Sequence, residues 1–586
     1  MRRKDFNNIV FTGMAGILAL VFILTALMPY GILKQLANSL MSDGNFDSLK
    51  EQNAPIFKIL LGITGLLFLS AAIGIRTRRL QSVLGLLRKY VSDLTEFIHA
   101  LRPTKVDAFS LAALILIVGL AVISRLVHIN DGMNHDEAYT FVVFSSTSLF
   151  NIVTNYHLPN NHILNSLLIF FSTHLFGIQP WAVRLPALIA GVLLIPASYA
   201  LAKAIYDKNT ALLSALLIAI LPGAILYSTI GRGYSLVALF TILTLWLANY
   251  LRQYKNLFAW SLLILFFALG FYSVPVMLFP FGMVFIWLFF ENLIASPGVY
   301  GSKTNFLKYW LFAGVGTIML VLILYTPIFI YTGVEKVFAN QFVLPESWLG
   351  YIPSIPGRLL TIWHTWINGL SSIWIYLLIA GFVLSLVFHG RIARQRFPLQ
   401  IAALIWVTAL ILIYRPVIGW KIWVFLQAPF MIWSAAGIMG LLKDFHLKVA
   451  RNVSVAAIGI GIALLLTVVN IIPIVPTIPD RWAEKGPVEL TVLSIKDRLT
   501  PQALIIIDLP YDAALWYYSH LYGLADSRFN KLRPFDELFV IVSRSDEQTV
   551  QSVIQARGPD PALVNLEAAR FLFNYQNLDV YIVPHR

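Results

Sequence analysis

The chain has 586 residues, of which 58% are hydrophobic and only 12% are charged, with a formal net charge of +14 and no cysteine. This composition excludes an ordinary soluble protein, which would expose large apolar patches, and it excludes disulfides and thiolate metal sites. The basic residues cluster between apolar runs, as in cytoplasmic loops beside anionic lipid. We therefore expect the lipid bilayer, and no nucleic acid, as a partner.

Apolar runs long enough to cross a membrane begin near the N-terminus, and the first two predicted spans cover residues 6–33 and 56–75. The charged start, Met1-Arg2-Arg3-Lys4, has no small-residue cleavage site after it. It therefore indicates a retained span and not a removed signal peptide. The basic stretch within 76–106 indicates a cytoplasmic segment, which also makes the N-terminus cytoplasmic.

A third predicted span, 107–128, leads to Asn134-His135-Asp136-Glu137 on the outer face. A carboxylate at a membrane surface can act as a general base, and Asp136 is our candidate. Glu137, the second catalytic candidate, would begin the next helix, where its charge suits the helix dipole. The alternative is a capped helix start without chemistry, which fits the dipeptide equally well. His135 suits a hydrogen bond to substrate, since no clear set of zinc ligands accompanies it.

The apolar run at 163–177 decides the topology. It is shorter than the ~20 residues that a helix needs to cross hydrocarbon, so we interpret it as an interfacial helix. Span 184–206 then runs inward and span 209–228 returns, which places Gly231-Arg232-Gly233-Tyr234 on the outer face. This choice also keeps the later basic loops on the cytoplasmic side.

The rest of the chain continues this pattern, with outer loops at 129–183, 229–234 and 333–371, the last of which could cover the site. Residues 476–586 are predicted to form a small extracytoplasmic α/β domain. Its strands are expected at 504–507, 539–542 and 581–583, and its helices at 511–521 and 547–557. The predicted fold is an α-helical polytopic membrane protein of about thirteen spans, the later ones at 235–251, 258–274, 276–291, 309–332, 372–389, 399–416, 422–442 and 453–475.

Polar residues around the first outer loop are candidates for substrate binding. Asn161 and His162 lead into the interfacial helix and could hold a phosphate or sugar hydroxyls, or could form only a turn and a helix cap. Arg184 opens its span, where it either anchors the loop against the acidic pair or snorkels to the interface.

Positive charge is depleted from outer loops, so the cations predicted there call for an explanation. Arg232 lies between two glycines and is followed closely by Tyr234, so guanidinium and backbone can approach a ligand. Arg415 and Lys421 flank a later outer turn, where they could stabilise a leaving phosphate. The alternatives are a surface turn for Arg232 and interfacial anchoring for Arg415 and Lys421.

Taken together, these motifs resemble the C-type glycosyltransferases, nearest to the branch of the protein O-mannosyltransferases and lipid A aminoarabinose transferases. The acidic pair after an early span, the Asn/His/Pro stretch, Arg184-Leu185-Pro186 and the run 212–222 followed by 231–234 carry the resemblance. It is best over 107–290. Residues 1–106 are thus expected to be an accessory module or to bind a membrane partner.

The resemblance implies a polyprenyl-phosphate-linked hexose or pentose as donor, with transfer to a protein, lipid or glycan on the non-cytoplasmic face of the plasma (inner) membrane. It also implies Asp136 as the base and inversion at the anomeric carbon. Some relatives, such as oligosaccharyltransferase catalytic subunits, carry a carboxylate in the second outer loop. Residues 229–234 have none, so we expect no cofactor and a metal-independent site. The alternatives are a transporter or flippase of a lipid-linked sugar, and a scaffold that presents the C-terminal domain.

Overall fold

The computed structural model describes residues 3–39, 51, 54–76, 80–101, 107–294, 298–338, 345–367, 372–415, 419–444 and 486–586. These residues form a large bundle of apolar helices and a small C-terminal α/β domain. Four helices precede the bundle core: α1 (Arg3–Leu27), α2 (Tyr30–Ser39), α3 (Ala54–Arg76) and α4 (Leu80–Leu101).

The N-terminal helices pack on each other, and α4 contacts the bundle core. α1 and α3 pack along each other, and the rings of Phe22 and Phe68 stack with centroids 5.7 Å apart. α4 is amphipathic and presents the buried side chain of Asp93, which accepts the backbone N–H of Leu257 at 2.6 Å. This carboxylate satisfies a free N–H at the start of another helix of the bundle.

The bundle core is formed by the helices α5 (Ala108–Leu126), α6 (His135–Tyr139), α7 (Leu149–Thr154), α8 (Ile163–Phe176), α9 (Pro180–Ile205), α10 (Lys208–Ile220), α11 (Pro222–Ser228), α12 (Tyr234–Gln253), α13 (Leu257–Ser273), α14 (Leu278–Ile294), α15 (Lys303–Tyr331), α16 (Glu335–Phe338), α17 (Trp348–Ile367), α18 (Ser372–Val387), α19 (His389–Ile392), α20 (Leu399–Tyr414) and α21 (Val424–Asp444). A π-helical turn, Thr140–Ser145, directly continues α6.

Helices occupy the predicted spans, except that 453–475 lies outside the described residues. By length and composition, six described helices can cross a membrane, or seven when the bent pair α10 and α11 is counted as one span. The chain is therefore a multipass membrane protein. The expected number of thirteen spans is not confirmed and stays a prediction.

The span predicted at 209–228 is broken in the middle. α10 and α11 are bent by 62° relative to each other, because Pro222 has no N–H with which to continue the helix. Beside the break, the carbonyl of Ala219 accepts a hydrogen bond from Nη1 of the buried Arg125 at 3.0 Å. α11 ends at Ser228 and leads into a tight turn, residues 229–233, which we call the second loop.

α8 has 14 residues, and its two ends contact the second loop and the C-terminal domain. At its start, His162 contacts Arg232 of the second loop. Just after its end, the carbonyl of Ile178 accepts the hydroxyl of Tyr517 in the C-terminal domain at 2.6 Å. We call residues 127–179 the first loop. Its short helix agrees with the length argument for an interfacial helix at 163–177, which stays a prediction.

The C-terminal domain contains α22 (Pro487–Lys496), α23 (Asp512–Leu521), α24 (Val550–Arg557) and the strands β1 (Leu504–Ile507), β2 (Glu537–Ser543), β3 (Arg570–Tyr575) and β4 (Leu578–Pro584). The sheet order is β1-β2-β4-β3, with β1 and β2 parallel and the other pairs antiparallel. The sequence predicts β1, β2, β4, α23 and α24 but misses α22 and β3. One apolar core joins this domain to the first loop, so the domain packs on the loop that carries the acidic pair.

Candidate functional site

The acidic pair lies on α6, a helix of five residues at the centre of the site. Asn134 caps it: its side chain accepts the N–H of Glu137 at 3.2 Å, and the Glu137 carboxylate accepts the N–H of Asn134 at 3.1 Å. This reciprocal capping box turns the side chain of Glu137 back toward the helix start. Asp136, one residue earlier, faces in a different direction.

Glu137 joins three separate parts of the chain. Its carboxylate accepts two hydrogen bonds from Arg184 of α9, at 2.5 Å (Nη2) and 3.0 Å (Nε), and one from the N–H of Gly231 in the second loop at 2.6 Å. Arg184 also donates to the carbonyls of Ile129, Asp131 and Gly132. Both charged side chains are buried, and Glu137 has no exposed surface.

This geometry corrects the placement of Glu137 among the catalytic candidates and of Arg184 among the substrate-binding ones. Every oxygen of the Glu137 carboxylate is occupied by protein donors, and every nitrogen of the Arg184 guanidinium donates to a protein oxygen. A buried pair with saturated hydrogen bonds supports structure and is not available to a substrate. The alternative reading of Arg184, an anchor of the first loop against the acidic pair, is the one the contacts support.

Asp136 has the opposite character, because its carboxylate remains partly exposed. Its Oδ2 forms an ion pair with Nζ of Lys421, and the two side chains are 29% and 30% exposed. Burial by itself would raise the pKa of Asp136, but the positive charges of Arg232 and Lys421 outweigh it and leave the pKa below its usual value. Asp136 is therefore ionised at neutral pH and accessible from the surface.

The guanidinium of Arg232 is held beside this carboxylate by backbone and hydroxyl oxygens. Its Nη1 donates to the Thr140 hydroxyl at 2.6 Å, to the Asn160 carbonyl at 2.8 Å and to the Asp136 carbonyl at 3.4 Å. Its Nη2 lies 3.2 Å from Nε2 of His162, and its Nε has no hydrogen-bond partner among the described residues. One edge of this guanidinium, Nε and Nη2, thus lacks an oxygen acceptor in the described part of the chain.

His162 is buried and presents a donor to the same place. Its Nδ1 accepts the N–H of Gly233 at 2.9 Å. Burial, together with the charges of Arg232 and Lys421, holds the pKa of His162 well below its usual value, so the ring is neutral. A neutral ring that accepts at Nδ1 carries its proton at Nε2, and that N–H faces Nη2 of Arg232. Two donors therefore converge where an oxyanion would satisfy both.

Tyr234 lies next to these groups, with its ring edge-on to His162 at 5.0 Å between centroids and 6.0 Å from the Arg232 guanidinium. His135 lies on the other side of Asp136, where its Nδ1 is 3.0 Å from Oδ1 of Asp512 in the C-terminal domain. Both residues border the site, and their predicted role in substrate binding stays a prediction.

Two other sequence candidates have different surroundings. Asn161 is buried, and its amide donates to the carbonyls of Ile152 and Asn155 while its oxygen accepts from Ser166, so it holds the first loop in shape. Arg415 donates to the carbonyl of Glu346 at 2.8 Å and lies 4.5 Å from the centre of the Trp348 ring. The described contacts of Arg415 therefore belong to the start of α17.

Three groups at the site are not among the candidate residues predicted from the sequence, although Asn160 belongs to the Asn/His/Pro stretch. Thr140 and Asn160 bind Arg232, and Asp512 approaches His135 from more than 370 positions away in the chain. A threonine or an asparagine carbonyl is too common to be singled out, and a contact between distant segments has no local pattern. Among the described residues, no group of three or more His, Cys, Asp and Glu side chains could hold a metal ion.

The site therefore combines one partly exposed carboxylate with two cations and a neutral imidazole. Asp136 can accept a proton, and the partly exposed Lys421 ammonium can bind an oxyanion. Nε of Arg232 and the Nε2–H of His162 are buried donors that lack an oxygen acceptor among the described residues. A proton acceptor beside an anion site suits a displacement in which a phosphate departs.

Comparison with known proteins gives a partial family match. Residues 160–331 match the family model described as dolichyl-phosphate-mannose-protein mannosyltransferase. This segment includes His162 and Arg232 but neither Asp136 nor Lys421. No curated protein sequence shows significant similarity to this chain.

Solved structures show the fold. ArnT from Cupriavidus metallidurans in the apo state is 13% identical, with 80% of this chain and 97% of that chain covered and a TM-score of 0.51. The same protein bound to undecaprenyl phosphate is 12% identical, with 80% and 97% covered and a TM-score of 0.45. An oligosaccharyltransferase from Archaeoglobus fulgidus with Zn and sulfate is 13% identical, with 79% and 73% covered and a TM-score of 0.45. The predicted resemblance to the C-type glycosyltransferases is confirmed.

Proposed function

We propose that this chain, a multipass membrane protein with the fold of ArnT, is an inverting glycosyltransferase that uses a polyprenyl-phosphate-linked sugar. The observation that carries the proposal is the ion pair between Asp136 and Lys421 beside the free edge of Arg232. The family model for residues 160–331 supports a donor of this class, because dolichyl-phosphate-mannose is a polyprenyl-phosphate sugar.

The donor phosphate would bind to the positive side of the site. Its oxygens would accept from Nε and Nη2 of Arg232, which form the two-pronged edge that guanidinium groups offer to phosphates, and from Nε2–H of His162. Lys421 would move from Asp136 to the phosphate as the donor arrives. This exchange frees the carboxylate and adds a positive charge where the phosphate will gain negative charge.

Asp136 would then act as the base. The acceptor oxygen forms a bond to the anomeric carbon, while the bond from that carbon to the phosphate oxygen breaks and its electron pair stays on the polyprenyl phosphate. The acceptor proton moves to Asp136. A single displacement of this kind inverts the anomeric configuration. The lowered pKa of Asp136 keeps it ionised before the acceptor arrives, so no prior loss of a proton is needed.

We propose that this reaction needs no divalent metal, because Arg232 and Lys421 supply the positive charge at the departing phosphate. The sequence observation behind this proposal is the second loop, which offers Arg232 and no carboxylate. The test is transfer in the presence of EDTA. Undiminished turnover is expected, and a loss of activity that Mn²⁺ or Mg²⁺ restores would contradict metal independence.

The proposed orientation places the site outside the cytoplasm. The helix ends remote from the site carry basic residues, among them Arg252, Lys255 and Lys203, which fits the positive-inside rule. We therefore propose a plasma (inner) membrane protein with a cytoplasmic N-terminus and an extracytoplasmic C-terminal domain. The acceptor would be a glycan, lipid or protein on that outer side.

The decisive experiment compares the glycans and glycolipids of a deletion strain that carries wild-type or variant genes, by mass spectrometry. Asp136→Asn should insert normally and fail to restore the missing product. Asp131→Asn is the matched control, because this carboxylate in the same loop pairs with His128 at 2.8 Å. Full product with Asp136→Asn would exclude Asp136 as the base. Protein-dependent movement of the lipid-linked sugar across sealed vesicles, without transfer, would instead favour a flippase.

A further inference from the structure

The C-terminal domain directly contacts the short helix that carries Asp136, through one of its own helices. The N–H of Met133, just before α6, donates to the hydroxyl of Tyr518 in α23 at 3.0 Å. Nδ1 of His135, the first residue of α6, lies 3.0 Å from Oδ1 of Asp512, the first residue of α23. The first contact is a hydrogen bond, and the second is an ion-pair distance at which Nδ1 of His135 does not meet hydrogen-bond geometry. Both contacts lie at the start of α6.

A continuous apolar core supports these polar contacts. Phe141 in the π-helical turn meets the ring of Tyr517 edge-on, with 5.5 Å between centroids. Tyr517 and Tyr518 are both fully buried, and the same core includes Ala138 of α6 and Val183 of α9. The domain is therefore not tethered loosely, because separating it would expose large apolar side chains to water.

α6 needs such support because it is too short to hold its own orientation. The five residues of α6 and the six of the π-helical turn form one short helical segment, and isolated helices below ~12 residues are marginal in water. The neighbours of Asp136 in the chain are held by different bodies: His135 by the C-terminal domain, and Glu137 by α9 and the second loop. The direction of the Asp136 side chain depends on both attachments.

We propose that Asp512 and Tyr518 are positioning residues for Asp136, so that the C-terminal domain forms part of the catalytic apparatus. Asp512 is itself held from the far side, because Nη2 of Arg557 lies 3.7 Å from its Oδ2 and Arg557 also pairs with Asp508 at 2.7 Å. This inference rests on the proposed function and adds to it a role for a second domain.

The first test separates positioning from substrate binding by steady-state kinetics of the full-length protein with polyprenyl-phosphate mannose and membranes of the deletion strain as acceptor. Asp512→Asn should lower kcat by about tenfold to a hundredfold, since a displacement of ~1 Å at a catalytic group has effects of that size. The KM for the donor should stay within about twofold. Asp526→Asn is the matched control, because Asp526 forms a similar pair with His520 (2.7 Å) at the other end of α23.

The outcomes distinguish the two proposals. A wild-type protein that restores no product in the deletion strain would refute the proposed function, whereas an active wild type with an equally active Asp512→Asn would refute positioning alone. An Asp512→Asn variant with unchanged kcat and a raised KM would assign Asp512 to substrate binding and also overturn the positioning role.

A second test uses the absence of cysteine in the chain, which makes an introduced pair unique. His135→Cys combined with Asp512→Cys removes the pair and allows a covalent bridge, formed by oxidation or by a short thiol-reactive linker. The bridged double variant should recover most of the kcat lost in either single variant, and a reducible bridge should lose it again on reduction. A bridged protein as slow as the single variants would contradict the proposal.

Discussion

Asp136 forms an ion pair with Lys421, although the two residues are 285 positions apart in the chain. The contact joins the first loop to the turn before α21, so it closes the site from two distant segments. The Asp136 carboxylate thus lies beside an ammonium group, and the phosphate of the proposed donor would attract that ammonium group.

Removal of the Lys421 charge should shift the acid limb of the pH–rate profile. Lys421 is one of the groups that lower the pKa of Asp136, so Lys421→Met should raise that pKa. A carboxylate acts as a base only when it is ionised, so activity is lost as the pH falls through its pKa. The acid limb of kcat/KM should thus lie at higher pH in Lys421→Met, whereas Lys421→Arg should keep it in place. An unchanged limb in Lys421→Met would show that Asp136 does not titrate in the profile.

Loss of one partner of the Glu137–Arg184 pair should destabilise the protein strongly. Glu137→Gln leaves a buried guanidinium without its counter-charge, which typically costs about 3–5 kcal/mol. The thermal midpoint of the detergent-solubilised protein should fall clearly, and Glu137→Gln combined with Arg184→Met should recover part of the loss. Lys208→Met, which breaks an exposed pair with Asp107, is the control and should not change the midpoint measurably. A stable Glu137→Gln would contradict the structural role.

Exchange of Arg232 for lysine should separate charge from shape. Lys keeps the positive charge but lacks the Nε–Nη2 edge, so Arg232→Lys should lower kcat/KM for the donor by about a hundredfold. Arg528→Lys is the control, since this arginine donates to the Thr500 carbonyl in the C-terminal domain. Transfer rates should be measured over a range of donor concentrations. Near-normal kcat/KM in Arg232→Lys would indicate that phosphate binding requires only the positive charge and not the guanidinium edge.

Arg415 and Lys421 should differ, although the sequence suggests the same role for both. Arg415 binds the Glu346 carbonyl and the Trp348 ring, whereas Lys421 binds Asp136. Arg415→Ala should keep kcat/KM for the donor within about threefold of the wild type, and Lys421→Ala should lower it at least thirtyfold, consistent with a loss of ~2 kcal/mol. Equal losses in the two variants would place Arg415 at the phosphate after all.

The sequence predicts the parts of this molecule that depend on hydropathy and local pattern. The apolar runs mark the helices, and the run at 163–177 differs from the others by its length. The positive-inside rule places Arg232 on the same face as Asp136. Pro222 lies inside the apolar run and could have indicated the helix break at Leu221. The hydropathy of the run is nevertheless that of one continuous span. β3 is missed because its residues are largely exposed and lack a clear alternation.

The roles within the acidic pair could not be separated in this way. Asp136 and Glu137 are adjacent carboxylates, and only the direction that the capping box gives to Glu137 distinguishes them. The partners of both residues, Lys421, Gly231 and Arg184, come from other segments, and a single sequence carries no record of such contacts. For the same reason Asp512 and Tyr518 are not visible as neighbours of α6.

The three consecutive residues His135, Asp136 and Glu137 contact the C-terminal domain, the turn before α21, and α9 with the second loop. These partners are synthesised in the order α9, second loop, turn before α21 and C-terminal domain. Asp512 is therefore made after the other partners. A ribosome-bound chain that has inserted α5 to α11 and the second loop already contains the acidic pair but lacks two of its three attachments. The site is therefore completed only after the C-terminal domain has been synthesised, and a chain that ends before this domain would lack the complete site.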